Sequence, residues 1–262
     1  MAQFQIFQVD AFTENLFHGN PAAVVPLETW PTYEKLQNIA LENNLSETAF
    51  FLKEENHYHI RWFTPAVEVD LCGHATLATA YVIFNFFETE AQSIKFHSRS
   101  GMLEVKKEND LLILNFPADE IKKVPAPEKL VNALGKIPKE SYKGKTDYLL
   151  IYATETDIEE IEPDFKLLSE IKARGIIISS KGKNTDFVSR FFAPLSGINE
   201  DPVTGSAHTT LTSYWAEKLN KKELSAVQLS KRKGFLHCRD LGNRIEIAGK
   251  AVLFLRGEIF VD

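Results

Sequence analysis

Apolar and polar positions alternate over residues 3–9, where Phe4, Ile6, Phe7 and Val9 mark a strand. Gly19-Asn20-Pro21 breaks the pattern before a second strand over 22–27. Pro31-Thr32 opens a helix that runs to about Asn43, with Leu36, Ile39 and Ala40 on one face. Strands follow at 48–53 and 58–63. Residues 74–87 carry Leu77, Ala78, Ala80, Tyr81 and Phe84, apolar nearly all round, as a buried helix does. Residues 93–97, 102–106 and 111–116 read as an antiparallel meander turning at Ser100-Gly101 and Asn109-Asp110. The stretch 117–127, rich in Pro, Lys and acids, reads as a linker. Beyond it strands fall near 147–153, 175–179 and 187–192, a helix at 206–219, and several strands between 227 and 261.

This order is not a regular βαβα alternation, which argues against a doubly wound parallel sheet. The expected class is α+β, in two lobes, each a mostly antiparallel sheet wrapped around one apolar helix. The first lobe covers 1–116, completed by the last strand over 252–262, and the second covers 117–251. A repeat supports the division. Arg61-Trp62-Phe63-Thr64-Pro65 precedes Gly73-His74-Ala75 and a helix; about half a chain later, Arg190-Phe191-Phe192-Ala193-Pro194 precedes Gly205-Ser206-Ala207 and another. Each helix start leaves backbone N–H groups unpaired at a positive dipole end, so the two together suggest an anion-binding cleft between the lobes.

Composition narrows the function classes. A net charge of −6 argues against nucleic acid or an anionic membrane surface as the main partner. No apolar stretch reaches the roughly 20 residues of a spanning helix. Met1-Ala2-Gln3-Phe4 shows no signal-peptide pattern, and Cys72 and Cys238 are too few for a disulfide-stapled fold, so the expected location is cytoplasmic. There is no phosphate loop, dinucleotide fingerprint or nucleophile elbow. His57 and His59 share a strand face and read as a surface pair rather than a metal site. No cofactor and no metal is implied.

Candidate chemistry clusters in a few segments. Read locally, Glu47 is either a solvated acid at a strand end or a carboxylate held among rings and poised to exchange a proton. His74, after Gly73 at a helix start, either caps and packs or hydrogen-bonds a substrate. Cys72, beside the same helix start, is either a reactive thiol of lowered pKa or a buried small residue. Asp201 either makes an Asp-Pro turn or faces Glu47 across the cleft. Gly205 and Ser206 offer backbone amides to a carboxylate. His208, one turn further, fits either the cleft or the core. Tyr81, Phe63 and Phe192 are candidates for the walls of a substrate pocket.

Five segments jointly resemble the phenazine biosynthesis PhzF-like family, whose members share the diaminopimelate epimerase fold. They are Val9-Asp10-Ala11-Phe12-Thr13, Gly19-Asn20-Pro21-Ala22-Ala23-Val24, Asn44-Leu45-Ser46-Glu47-Thr48, Asp70-Leu71-Cys72-Gly73-His74-Ala75-Thr76 and Glu200-Asp201-Pro202-Val203-Thr204-Gly205-Ser206-Ala207. The resemblance implies a cofactor-independent isomerase, commonly a homodimer, that shifts a proton within a small carboxylic acid. It assigns proton transfer to Glu47, with His74 and Asp201 as supporting polar residues, and substrate binding to Asn20, Asp70, Gly73, Gly205 and Ser206. Related epimerases and racemases pair two cysteines. Cys72 fits the first position, but the second motif offers Asp201-Pro202 and no thiol. A Cys72-dependent epimerase and a non-catalytic ligand-binding protein are the alternative readings.

Overall fold

Ala2–Ala11 (β1) and Asn20–Leu27 (β2) run antiparallel, from Phe7↔Val24 to Ala11↔Asn20, in a computed structural model that describes residues 2–262. Backbone contacts divide the chain into two units, Met1–Asn115 with Ala248–Asp262, and Phe116–Ile247. The elements are α+β in class, as the residue pattern predicts.

In the first unit Tyr33–Asn43 (α1) is capped at Thr32, whose hydroxyl accepts from the Lys35 amide, and is stopped by Asn44 in the left-handed region. Glu47–Lys53 (β3) then runs parallel to β2, and Tyr58–Phe63 (β4) antiparallel to β3. After the short strand Glu68–Val69 (β5) comes Gly73–Phe86 (α2), with ten buried positions from His74 to Phe84; it packs against β1, β2 and β3. Ser93–Ser98 (β6) lies parallel to β4, and Gly101–Glu108 (β7) and Leu111–Pro117 (β8) complete the meander.

The second unit contains Lys122–Lys123 (β9), Glu128–Leu134 (α3), Glu140–Lys143 (β10), Asp147–Ile151 (β11), Glu155–Glu160 (α4), Phe165–Leu168 (α5), Gly175–Lys181 (β12) and Phe187–Phe192 (β13). A 3-10 turn at Pro194–Ser196 leads to Gly205–Leu219 (α6), Glu223–Gln228 (β14), Gly234–Asp240 (β15) and Arg244–Gly249 (β16). The last strand, Ala251–Val261 (β17), pairs antiparallel with β1 from Ala11↔Ala251 to Ala2↔Val261, within the first unit.

The sequence repeat is a repeat of topology. Strands β1, β2, β3, β4, β6 and β7 pair in the order antiparallel, parallel, antiparallel, parallel, antiparallel. Strands β10 to β15 pair in the same order. The repeated arginines take the same bonds. Arg61 forks Glu68 at 2.7 and 2.9 Å and lies 5.1 Å from the Phe63 ring centroid; Arg190 forks Glu200 at 2.7 and 3.0 Å and lies 4.9 Å from that of Phe192.

Between 117 and 168 the structure departs from the sequence expectation. The expected linker contains β9, which pairs with β10 at Tyr142↔Lys123. Helices α3, α4 and α5 and strand β10 carry no long-range period, because each is two turns or shorter. Local chemistry sets them: Gly135 ends α3 in the left-handed region, and a reciprocal capping box between Thr154 and Asp157 starts α4. Phe63 and Phe192 are fully buried in the cores of their units, so neither is a pocket wall.

Candidate active site

The segment between β1 and β2 is shaped by its own polar groups. The Asp10 carboxylate accepts the Phe17 amide at 3.0 Å, the Thr13 hydroxyl accepts that of Asn15, and Phe12, Phe17 and Gly19 all hold positive φ. Gly19, at φ +64, has no room for a Cβ, which would lie 2.2 Å from the Ala11 carbonyl oxygen. This tight return fixes Asn20 at the start of β2. The parallel β2–β3 register, Ala22↔Glu47, sets Glu47 near it, and α2 starts within reach of both.

Five side chains meet there. The Ser46 hydroxyl donates to Asn20 Oδ1 at 3.3 Å, and the Asn20 amide nitrogen is 3.2 Å from His74 Nδ1. Cys72 Sγ lies 3.5 Å from the same nitrogen. On the ring's other side, His74 Nε2 is 3.2 Å from Glu47 Oε2. An Asn20 amide donating to Nδ1 puts the proton of the neutral ring on Nε2, so Nε2 faces the carboxylate as N–H whether the ring is neutral or charged.

Glu47 and His74 are both buried. Their facing atoms lie at ion-pair distance but are not aligned as a hydrogen bond, and neither Glu47 Oε2 nor His74 Nε2 has a hydrogen-bond partner. Leaving a buried charged acceptor unsatisfied costs about 1–3 kcal/mol or more, which marks the spot as one shaped for something other than stability. Helix α2 starts at Cys72 with no side-chain cap, so its first-turn amides, including Gly73, are open to an anion.

The electrostatics correct one expectation. A helix start lowers a thiol's pKa, yet Cys72 is pushed up to about 11, first by burial and then by the Glu47 charge. The thiol therefore stays protonated at neutral pH. Burial also opposes a charge on His74, but the Glu47 carboxylate facing Nε2 favours one and raises the imidazole above its usual value. Glu47, Cys72 and His74 place donor atoms within 4.8 Å of one another, a spacing open to a metal ion. Such an ion requires the thiolate, which this environment disfavours.

Asp70 stands apart from this cluster. Its carboxylate is exposed and 3.8 Å from Arg99 Nη1. In the second unit, buried Asp201 accepts from the Thr204 hydroxyl at 2.5 Å, and fully buried Gln228 donates to the Asp201 carbonyl and accepts the Thr204 amide. Thr204 precedes α6 without a side-chain cap bond, so the Gly205 end repeats the open helix start of α2. The Ser206 hydroxyl accepts from Arg174, whose guanidinium also pairs with Asp147. Arg174 is one of several charges ahead of a strand, with Glu170 and Lys172 just before it, and nothing in the local sequence pattern signals this fork. His208 is core: Nδ1 donates to the Thr204 carbonyl at 2.8 Å, and burial lowers its pKa to about 4.

Residues 9–257 match the model of the PhzC-PhzF family, described as phenazine biosynthesis-like proteins. An uncharacterized isomerase of Pseudomonas aeruginosa is 48% identical over 98% of this chain and 99% of its own. The crystal structure of a PhzF-family phenazine biosynthesis protein from Enterococcus faecalis superposes with a TM-score of 0.97, at 46% identity over 99% of this chain and 100% of that one. A hydroxyproline epimerase of Agrobacterium vitis, 10% identical, shares the fold, with a TM-score of 0.63 over 98% of this chain and 92% of that one. The chain belongs to the phenazine biosynthesis-like PhzC-PhzF family and is an isomerase of it.

Proposed function

We propose that the protein is a cofactor-independent isomerase that moves a proton within a small carboxylic acid, with Glu47 as the base and then the acid. The observation that carries this reading is Glu47 Oε2: buried, lacking a hydrogen-bond partner, and 3.2 Å from His74 Nε2. A carboxylate in this position can take a proton from a substrate carbon and return it to another carbon. The anion formed between the two steps is stabilised by the α2 amides and the His74 N–H, donors fixed in place before reaction. Asn20 and Ser46 act through His74 by holding its ring. In the second unit we assign the Gly205 and Ser206 amides, at the open start of α6, to binding a carboxylate group, with Asp201 as a supporting polar residue.

A thiol pushed up to about 11 fits poorly with the Cys72-dependent alternative. Two variants separate the readings, assayed on small carboxylic acids that carry a C–H next to a carbonyl or double bond. Glu47→Gln should cut kcat by about 10²–10⁴-fold, the usual worth of a positioned general base, while Cys72→Ala retains most of it. Turnover that survives Glu47→Gln and disappears in Cys72→Ala reverses the assignment.

A further inference from the structure

Arg174 is held on three sides at the open end of α6, by groups that all lie in the second unit. Its amide donates to the Thr146 carbonyl at 3.0 Å, and the parallel β11–β12 register sets Asp147 opposite Gly175. The guanidinium meets the Asp147 carboxylate along two edges: Nε donates to Oδ1 at 2.9 Å, and Nη2 to Oδ2. Asp147 is buried, with 2% of its side chain exposed. The Phe191 ring centroid lies 5.7 Å from the guanidinium carbon, and that ring occupies the space a Cβ on Gly175 would need. Asp147 and Phe191 together fix the fork, and its remaining arm, Nη1, donates to Ser206 Oγ at 2.9 Å. A guanidinium only donates, so Ser206 Oγ receives here and its own O–H points elsewhere. Among the described residues that O–H has no acceptor.

We propose that Arg174 is a positioning residue for the start of α6: it holds the Ser206 hydroxyl so that its O–H donates to a bound carboxylate, without touching that group itself. This role presupposes the carboxylate-binding role proposed for the Gly205 and Ser206 amides. Ser206 is the second residue of α6, so its free O–H belongs to the same uncapped turn as those amides. Asp147 matches the guanidinium charge for charge, so Arg174 supplies direction there rather than net positive charge. Joining β11 to β12 needs only the Asp147 pair. The third bond, which reaches from the sheet to the helix, is what a positioning role accounts for. A donor ordered before its ligand arrives spares the entropy of ordering it on binding.

The probe is acetate, titrated into the whole isotope-labelled chain while NMR follows the amide signals of the first two α6 residues. Wild type should shift both signals saturably. Arg174→Lys keeps a cation for Asp147, but one ammonium cannot span Asp147 and Ser206 as the fork does. Acetate should then bind at least about fivefold more weakly, the scale of one hydrogen bond to a charged group, with thermal unfolding close to that of wild type. Ser206→Ala leaves the Arg174–Asp147 pair in place and should weaken acetate by a similar factor. Adding Arg174→Lys to Ser206→Ala should weaken it no further; an arginine that only supports the fold, or one that grips the carboxylate itself, would add its own loss. Undiminished binding in Arg174→Lys, or losses that multiply in the double variant, would overturn the role. Acetate that shifts neither amide in wild type would remove the α6 carboxylate assignment and this role with it. No turnover is read, so each outcome is separate from whether Glu47 is the base.

Discussion

At Cys72 two consequences of position oppose each other. The start of α2 favours a thiolate, whereas burial and the Glu47 carboxylate disfavour one, and the thiol ends at about 11. Cys238 is buried as well and is pushed up to about 12. Iodoacetamide at pH 8 should therefore modify neither thiol in the folded protein and both after unfolding. The native rate should climb about tenfold per pH unit towards pH 11, because only the thiolate reacts. A thiol that reacts rapidly in the native state at pH 8 would return Cys72 to the list of nucleophiles. Glu47 shows where local sequence stops being informative. An acid at a strand end is ordinarily solvated; its burial here comes from β2 and from a histidine 27 positions away, which only the joint motifs tie to it.

Among the elements, the return between β1 and β2 is the one on which the site depends most. Gly19 sits in the left-handed region with a backbone carbonyl where a Cβ would be, and Asn20 follows directly. Gly19→Ala should cost about 2–3 kcal/mol, as strain at a special backbone conformation does. It should also lower kcat, through displacement of Asn20 from His74. Chemical denaturation and turnover measured on one preparation check both effects; unchanged values for both would show that the turn does not set the site. Long strands and the two apolar helices were readable from alternation and from continuous apolar runs. The segment from α3 to α5 was not, because helices of seven, six and four residues have no period to read. Their shape comes from caps and from packing around Leu130, Leu150, Ile158 and Ile178.

Across the whole molecule, the repeat in the sequence marks equivalent anchoring as well as equivalent topology. Arg190 satisfies Glu200 and also donates to the carbonyls of Ile158 and Ile161, with only 12% of its side chain exposed. Arg190→Ala strips four bonds from partly buried acceptors and should destabilise by about 2–3 kcal/mol in thermal unfolding. Loss of the exposed Lys250–Glu14 pair should leave no measurable change. Equal effects from the two would mean that the fork is ornamental. The two halves differ in chemistry, and that difference was legible once their motifs were set side by side. The first copy carries Glu47, Cys72 and His74; the second carries Asp201, Thr204 and Gln228, with its histidine sunk into the core as a neutral ring. The proposed mechanism, in which Glu47 alone both takes and returns the proton, fits this asymmetry. The most direct test is to follow substrate by NMR in heavy water with wild type and Glu47→Gln side by side. Isomerisation with deuterium entering at carbon in wild type, and neither in the variant, is the expected result; full isomerisation by Glu47→Gln would contradict the account.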